Sequence, residues 1–246
     1  NNLVYRSARA VYDQLGIPPP GLRITQNNHI PMAGGLGSSS ACIVAGILGA
    51  NALLGGRLTR RQMLTLATAI EGHPDNVAPA MLGGFVTSVY DEGQVYTVKK
   101  DIDEALAFAA FVPDFPLLTA KARAALPQMV SHKDAVYNLS RAALATAAFC
   151  DGDYELLGVA TKDALHQSYR LPLIPGGDEL FDFALDLGAL AVYISGAGPT
   201  IMAVVRRSDK NFFERAAAAL PRHETLKAFT VHRLLADNIG ATVQGT

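Results

Sequence analysis

A glycine-rich turn that runs directly into three serines and an apolar helix constrains this chain more than any other feature. The turn and the serines occupy residues 31–40, and a helical pattern continues from Ala41 to Leu54. That helical stretch is apolar nearly all round and rich in Ala and Gly, which predicts a buried helix that its neighbours approach closely. It is shorter than the roughly 20 residues of a membrane span, so a core helix is favoured.

The start of this helix is suited to binding a phosphate. Glycines let a backbone come close to a bulky anion, and a helix N-terminus offers unpaired N–H groups and a positive dipole end. Serine hydroxyls there can cap the helix, donate to phosphate oxygens or ligate Mg²⁺. The candidate phosphate-binding residues are Pro31, Gly34, Gly35, Leu36, Gly37, Ser38, Ser39 and Ser40.

Two better-known phosphate motifs do not fit this loop. A Walker A loop requires a Lys before the Ser, and the dinucleotide fingerprint requires a third glycine where serines stand here. Taken alone, a Gly-x-Gly followed by Ser is more typical of a tight turn with a serine N-cap.

Composition and charge exclude several classes of function. Half of the 246 residues are hydrophobic, which is ample for a packed core in one large domain or two small ones. The net charge is −1 and the basic residues form no long cluster, so we expect no nucleic-acid or membrane partner. Cys42 and Cys150 lie outside metal-ligand spacings, which predicts buried, reduced thiols in a cytoplasmic protein.

Hydrophobic periodicity predicts mixed α+β layers. The predicted helices cover residues 3–15, 41–54, 59–70, 134–149, 154–165, 178–187 and 210–220. The predicted strands cover residues 22–30, 85–90, 94–98, 106–112, 189–194, 201–205 and 228–235.

A polar loop after the third predicted helix is a candidate metal and substrate site. It begins at Glu71 and contains His73, Asp75 and Asn76. A hard cation such as Mg²⁺ needs few protein oxygens, so Glu71 with the Ser39 hydroxyl would suffice. Alone, the same residues are compatible with an exposed helix-end charge and a capping turn.

A second glycine-rich segment, residues 195–200, lies between two apolar strands. Its glycines, Gly196 and Gly198, permit close approach of a backbone to a ligand, although a plain hairpin turn remains open.

Together these segments resemble the GHMP family of small-molecule kinases, and the homoserine kinases within it. Residues 31–41 are similar to the family's Pro-x-x-x-Gly-Leu-Gly-Ser-Ser-x-Ala loop. Residues 71–80 are similar to the Glu-Gly-His-Pro-Asp-Asn-Val-Ala-Pro-Ala string of homoserine kinases. Further similar segments contain Arg123 and Arg170, and residues 195–200 resemble the third GHMP motif.

The resemblance implies a two-domain α+β fold. Residues 1–104 would form the N-terminal ATP-binding domain, and residues 105–246 a ferredoxin-like C-terminal domain. The implied activity is ATP- and Mg²⁺-dependent phosphorylation of the L-homoserine hydroxyl in threonine biosynthesis. The resemblance is also compatible with a homodimer. Two alternatives remain open: a mevalonate- or sugar-type GHMP kinase, and a nucleotide-binding relative without catalysis.

The resemblance also assigns residue roles. Arg123 and Arg170 would hold the substrate carboxylate, with Thr119 near the transferred group. Asn76 stands where several relatives have an aspartate thought to act as base, which predicts catalysis without a dedicated strong base. The implied catalytic set is Ser39, Glu71, Asn76 and Thr119, and the implied substrate-binding set is His73, Asp75, Arg123, Arg170, Gly196 and Gly198.

Family members carry two or more strands and a substrate loop before the helix at which this chain begins. The chain starts at Asn1, without a methionine, directly in a predicted helix. We therefore expect the first strands of the N-terminal domain to be missing, through truncation or loss.

Overall fold

The computed structural model describes residues 2–31 and 34–245, and it divides into two compact units. The first unit comprises Asn1–Ile30, Gly37–Asp101 and Asp237–Thr246, and the second comprises Pro31–Leu36 and Ile102–Ala236. Met32 and Ala33 of the predicted phosphate loop lie outside the described residues.

The first unit is mainly helical and carries one antiparallel hairpin. Its elements are α1 (Leu3–Leu15), α2 (Ser38–Leu53), α3 (Arg60–Glu71), α4 (Val77–Leu82), β1 (Phe85–Asp91) and β2 (Gln94–Lys100). Two predicted helix ends are confirmed. Gly16 in the left-handed conformation ends α1, and Thr59 begins α3 through a reciprocal capping box with Gln62.

Helix α2 packs closely against α1. A Cβ placed on Gly46 would lie 2.3 Å from the Val4 carbonyl oxygen, so only glycine allows this approach. Ile43 and Ile47 are buried in the same contact. The prediction of a buried helix holds for this side alone, because Ala45 and Leu53 on α2 are exposed.

The second unit is a sheet flanked by helices. Its elements are β3 (Leu106–Pro113), α5 (Thr119–Ala124), α6 (His132–Asp151), α7 (Leu157–Ala160), α8 (Gln167–Arg170), α9 (Gly177–Asp186), β4 (Ala191–Ile194), β5 (Ile201–Arg206), α10 (Phe212–Ala219) and β6 (Phe229–Leu234). Short 3₁₀ turns cover Tyr154–Leu156, Leu171–Leu173 and Leu220–Arg222.

The sheet of the second unit has ferredoxin-like topology. Its strands are ordered β4-β5-β3-β6 and every neighbouring pair is antiparallel. With helices between β3 and β4 and between β5 and β6, the chain follows a β-α-β-β-α-β path. Fully buried Phe111, Ile201 and Phe212 lie in the core cluster beneath this sheet.

Two predicted elements are wrong. Residues 22–30 form no strand, because a strand needs a hydrogen-bonded neighbour and no described segment pairs with them. Residues 154–165 are not one helix. After a 3₁₀ turn and the short α7, the Asp163 carboxylate accepts backbone N–H groups of the next turn and ends helical pairing.

The two cysteines are free, but they are not both buried as predicted. Cys42 is half-buried and Cys150 is exposed on α6. No helix among the described residues combines the length and the hydropathy that a bilayer-spanning segment requires.

Candidate active site

The predicted phosphate loop leads into the first turn of α2. Gly37 occupies the N-cap position with φ 75°, and no side chain caps the helix there. Ser38 is half-buried, Ser39 is exposed and Ser40 is buried. The serines are therefore the first helical residues rather than caps, and the N–H groups of this first turn and the exposed Ser39 side chain suit an anion.

Glu71, the last residue of α3, faces these serines within the first unit. Its carboxylate lies 3.5 Å from the Ser39 hydroxyl and 3.3 Å from the Ser40 hydroxyl. The structure thus brings the predicted carboxylate and hydroxyl together, and it adds Ser40 as a second neighbour. Among the residues that the structure describes, no three His, Cys, Asp or Glu side chains cluster as a metal site would.

The rest of the polar loop follows Glu71 closely. Gly72 ends α3 with φ 96°, and His73 Nδ1 lies 3.4 Å from an Asp75 carboxylate oxygen. Asp75 is exposed, whereas Asn76 is half-buried and immediately precedes α4. The loop presents one exposed carboxylate and one amide at the start of a short helix.

The other half of the phosphate loop packs against the second glycine segment inside the second unit. The Ser195 hydroxyl donates to the Gly35 carbonyl at 2.9 Å, and the Thr200 N–H donates to the Gly34 carbonyl at 3.2 Å. A Cβ on Gly35 would lie 2.3 Å from the Ser195 carbonyl oxygen. Glycine at position 35 is therefore required both for its φ of 79° and for this contact.

The same glycine segment is held by Arg170. The guanidinium donates from Nε to the Ala122 carbonyl at 3.2 Å and from Nη1 to the Gly196 carbonyl at 3.0 Å. Arg170 is 8% exposed, and it connects helix α5 to the glycine segment. These partners lie 48 and 26 residues away in sequence, so no local pattern could have predicted them.

Arg123 lies close to this buried arginine. The pKa of the Arg170 guanidinium is lowered mainly by burial and secondly by the positive charge of Arg123. The negative charge of Asp163 opposes this shift. Thr119 and Arg123 are exposed one turn apart on α5, which places them on one face of that helix. The predicted carboxylate clamp residues are therefore neighbours.

Asp163 organises the approach to α8, and sequence reasoning gave it no role of its own. Its carboxylate accepts from Asn138 Nδ2 at 2.5 Å, from the backbone N–H groups of Leu165 at 3.1 Å and His166 at 2.7 Å, and from that of Gln167. Burial alone would raise the pKa of this carboxyl, but these hydrogen bonds outweigh burial and lower it. In the sequence, only the position of this Asp three residues before His166 could have indicated that it accepts hydrogen bonds from the next turn.

His166 and Gln167 complete this corner. The pKa of His166 is lowered mainly by burial. The negative charge of Asp163 opposes this shift, and the positive charge of Arg170 adds to it. Gln167 is buried, donates to the Thr161 carbonyl at 3.0 Å and accepts from the Ile194 N–H at 2.8 Å. The lowered pKa favours the neutral form of the His166 side chain.

The predicted site residues fall into two groups, one in each unit. The first unit brings together Gly37, Ser38, Ser39, Ser40, Glu71, His73, Asp75 and Asn76. The second unit holds Pro31, which is exposed, and half-buried Leu36, together with Gly34, Gly35, Thr119, Arg123, Arg170, Gly196 and Gly198. Ser195 and Thr200, which join the two glycine segments, were not predicted.

The features described above define a class of protein. They are a helix that begins with serines and suits an anion, a carboxylate beside it, and a ferredoxin-like unit with two neighbouring arginines. These are the parts of a small-molecule kinase of α+β architecture.

Comparisons with known proteins give the family. The model described as GHMP kinases N terminal domain matches residues 2–84, and the one described as GHMP kinases C terminal matches residues 145–223. A homoserine kinase of Clostridium beijerinckii is 45% identical over 100% of this chain and 83% of the relative. The chain belongs to the GHMP kinase family, and GHMP kinases use ATP.

Solved structures agree with this assignment. A homoserine kinase from Cytophaga hutchinsonii superposes with a TM-score of 0.83 at 29% identity, covering 97% of this chain and 77% of that one. L. major mevalonate kinase in complex with R-mevalonate has a TM-score of 0.60 at 16% identity, covering 98% and 78%, and shares the fold alone. The predicted family and the two-domain α+β fold are confirmed.

Proposed function

We propose that this protein is a homoserine kinase, which transfers the γ-phosphoryl group of ATP to the side-chain hydroxyl of L-homoserine. The product is O-phospho-L-homoserine, which would enter threonine biosynthesis in the cytoplasm. The 45% identity to a homoserine kinase over the whole chain supports this choice over mevalonate- and sugar-type acceptors.

The observation that carries the proposal is the neighbouring pair of arginines in the second unit. Arg123 lies close enough for its positive charge to lower the pKa of the Arg170 guanidinium, and two neighbouring guanidinium groups favour binding of a carboxylate. Homoserine carries an α-carboxylate, whereas a sugar does not. A planar guanidinium binds both oxygens of a carboxylate, which lysine cannot do.

The start of α2 would hold the phosphates of ATP. Its first-turn N–H groups and the exposed Ser39 hydroxyl can donate to phosphate oxygens. Glu71 and the hydroxyls of Ser39 and Ser40 are all oxygen donors, and one carboxylate with a hydroxyl suits a Mg²⁺ that keeps most of its ligands from water and phosphate. A bound Mg²⁺ would neutralise charge on the transferred phosphoryl group.

The acceptor hydroxyl would attack without a dedicated strong base, and its proton would pass to water or to an oxygen of the transferred phosphoryl group as the new P–O bond forms. Asn76 is an amide and cannot accept a proton as a base. A loose phosphoryl-transfer transition state leaves the nucleophile little developed, so Thr119 and the arginines would act by positioning. Asp75→Asn should therefore keep kcat near the wild-type value. Collapse of kcat with unchanged ATP binding would identify Asp75 as a base instead.

We assign ATP binding to residues 1–104 and the ferredoxin-like domain to residues 105–246. The division of the structure near Asp101 and the family-model matches support this assignment.

The direct test is ADP release by the full-length protein with L-homoserine, mevalonate or galactose as acceptor. We expect release to depend on L-homoserine only. Arg123→Lys should raise KM for homoserine at least about tenfold while leaving KM for ATP unchanged, because one bidentate contact becomes a point charge. Release that depends on mevalonate or galactose, or on no acceptor, would refute the proposal.

A further inference from the structure

Helix α8 carries two buried polar side chains that reach the glycine segment, residues 195–200. Gln167 and Arg170 are three residues apart, so they lie on the same face of this helix. Gln167 Oε1 accepts from the Ile194 N–H at 2.8 Å, immediately before the segment, and Arg170 Nη1 donates to the Gly196 carbonyl at 3.0 Å. The orientation of α8 therefore decides where the Arg170 guanidinium lies.

This helix is too short to fix its own orientation. It spans Gln167–Arg170, and a bond from the Arg170 N–H to the His166 carbonyl at 3.1 Å closes its turn. A single helical turn costs more backbone entropy than its hydrogen bond returns. The orientation of α8 must therefore be imposed by groups outside it.

Asp163 supplies the first of these groups. Its carboxylate accepts from the backbone N–H groups of Leu165, His166 and Gln167. These are the donors that the start of a helix leaves without partners inside the helix. One carboxylate that holds three successive donors fixes both where α8 begins and the direction in which it runs.

Asn138 connects that carboxylate to helix α6. Its Nδ2 donates to Asp163 at 2.5 Å, and its Oδ1 accepts from the Ala164 N–H at 2.8 Å. Both ends of the amide are used, so one side chain holds two consecutive residues of the turn. Helix α6 is 20 residues long, and it provides the stable base that the four-residue α8 lacks.

We propose that Asn138 and Asp163 are positioning residues that hold the Arg170 guanidinium where it binds the acceptor's carboxylate, and so set the preference for an acceptor that carries one. The inference rests on the proposed function and deepens it. The path runs from α6 through Asn138, Asp163 and the start of α8 to Arg170. Neither Asn138 nor Asp163 has to touch the substrate for this.

Charge and geometry act in opposite directions at Asp163, which allows them to be separated. The negative charge of Asp163 acts on the Arg170 guanidinium, so it also disfavours a second carboxylate there. Removing that charge alone should strengthen binding of the substrate carboxylate. Removing the hydrogen bonds that orient α8 should weaken it. Asn138 is uncharged, so Asn138→Ala changes the geometry alone.

The test compares L-homoserine with 3-aminopropan-1-ol, which has the same hydroxyl and amine but no carboxylate. The ratio of kcat/KM for the two acceptors, from ADP release by the full-length protein, measures the preference for the carboxylate. We expect Asn138→Ala and Asp163→Asn each to lower this ratio at least about tenfold and to leave KM for ATP unchanged, because a small displacement of a binding group is that costly. An equal loss with both acceptors, or a raised ratio in Asp163→Asn, would overturn the proposal.

Asp209→Asn is the matched control within the second unit. The Asp209 carboxylate accepts from the Asn211 N–H at 3.2 Å and from Arg215 at 2.8 Å, at the start of α10. It supports a helix start as Asp163 does, but α10 carries neither arginine of the clamp. We expect Asp209→Asn to lower Tm and to leave the ratio within about twofold of wild type. An equal fall of the ratio in this variant would show that lost stability, and not position, lowers it.

Hydrogen exchange tests the positioning without turnover. The Ile194 N–H donates to Gln167 on α8, so it should exchange faster when α8 loses its orientation. We expect exchange at Ile194 to be at least about tenfold faster in Asn138→Ala and less than about twofold faster in Asp209→Asn. Unchanged exchange in Asn138→Ala would overturn the inference whatever the acceptor. Wild-type protein that releases no ADP with L-homoserine would instead refute the proposed function.

Discussion

Replacing Gly35 with alanine tests the contact that joins the two glycine segments, and Gly37→Ala is its matched control. Both glycines have a left-handed backbone, with φ 79° at Gly35 and 75° at Gly37. They differ in their surroundings. A Cβ on Gly35 would lie 2.3 Å from the Ser195 carbonyl oxygen and 2.9 Å from that of Gly198, whereas one on Gly37 meets nothing within 4 Å.

The size of the effect follows from these contacts. Each alanine pays about 1 kcal/mol of left-handed strain, so Gly37→Ala should cost about that amount. Gly35→Ala must in addition separate the two segments by roughly an ångström. This would break the hydrogen bonds from Ser195 Oγ to Gly35 and from the Thr200 N–H to Gly34, at about 1 kcal/mol each. The total for Gly35→Ala is about 3 kcal/mol.

Thermal unfolding and a double-mutant cycle provide the assay. For a chain of this size about 3 kcal/mol lowers Tm by roughly 6–12 °C, against about 2–4 °C for Gly37→Ala. In the Gly35→Ala background, Ser195→Ala should add almost nothing, because its hydrogen bond is already broken. Equal shifts for the two glycine variants, or full additivity with Ser195→Ala, would show that this contact does not hold the loop.

Three further effects follow from single positions. Gly46→Ala should lower Tm strongly, because the added Cβ would lie 2.3 Å from the Val4 carbonyl oxygen. Gly49→Ala on the same helix is the control, since its Cβ meets nothing within 4 Å. Gly49→Ala should raise Tm, because alanine favours the helix over glycine by about 1 kcal/mol. Asp163→Asn should lower the free energy of unfolding at pH 7 by about 1–2 kcal/mol, a modest loss because the carboxylate is partly exposed. The pKa of Asp163 is lowered on folding, so the difference from wild type should begin to shrink as pH falls below about 4 and should disappear only below the folded-state pKa. A difference that stays constant with pH would contradict this. The pKa of His166 is also lowered on folding, so the unfolded chain binds a proton at this side chain at a higher pH than the folded chain does. The free energy of unfolding of wild type should therefore fall as pH drops below about 6.5. His166→Asn should make that fall less steep.

The sequence predicted those elements whose signals are local. Thr59 and Gln62 form a capping box within four residues, and Gly16 follows the last apolar residue of α1, so both helix ends could be recognised. The strand predicted at residues 22–30 has suitable residues, but pairing depends on a neighbour that its own composition does not specify. The end of α7 depends on Asp163, which lies after the helix. Its carboxylate accepts the backbone N–H groups that would otherwise continue the helical hydrogen bonds.

The candidate site shows the same limit. The pairing of Ser39 with Glu71 was predicted, and the structure adds that Ser40 faces the same carboxylate. The roles assigned to these residues remain predictions, since they derive from resemblance. Ser195 and Thr200 were missed because their partners, Gly35 and Gly34, lie about 160 residues earlier in the chain.

The contacts of Arg170 explain how one side chain can serve both the fold and a substrate. A guanidinium has five N–H groups, and the Ala122 and Gly196 carbonyls take two of them. Three N–H groups remain, so Arg170 can bind a carboxylate without releasing either carbonyl, and the glycine segment beside Gly35 need not move. Lysine carries its three N–H groups on one nitrogen and cannot span these partners. Arg170→Lys should therefore lower Tm and raise KM for homoserine together, whereas a residue acting on substrate alone would change only KM.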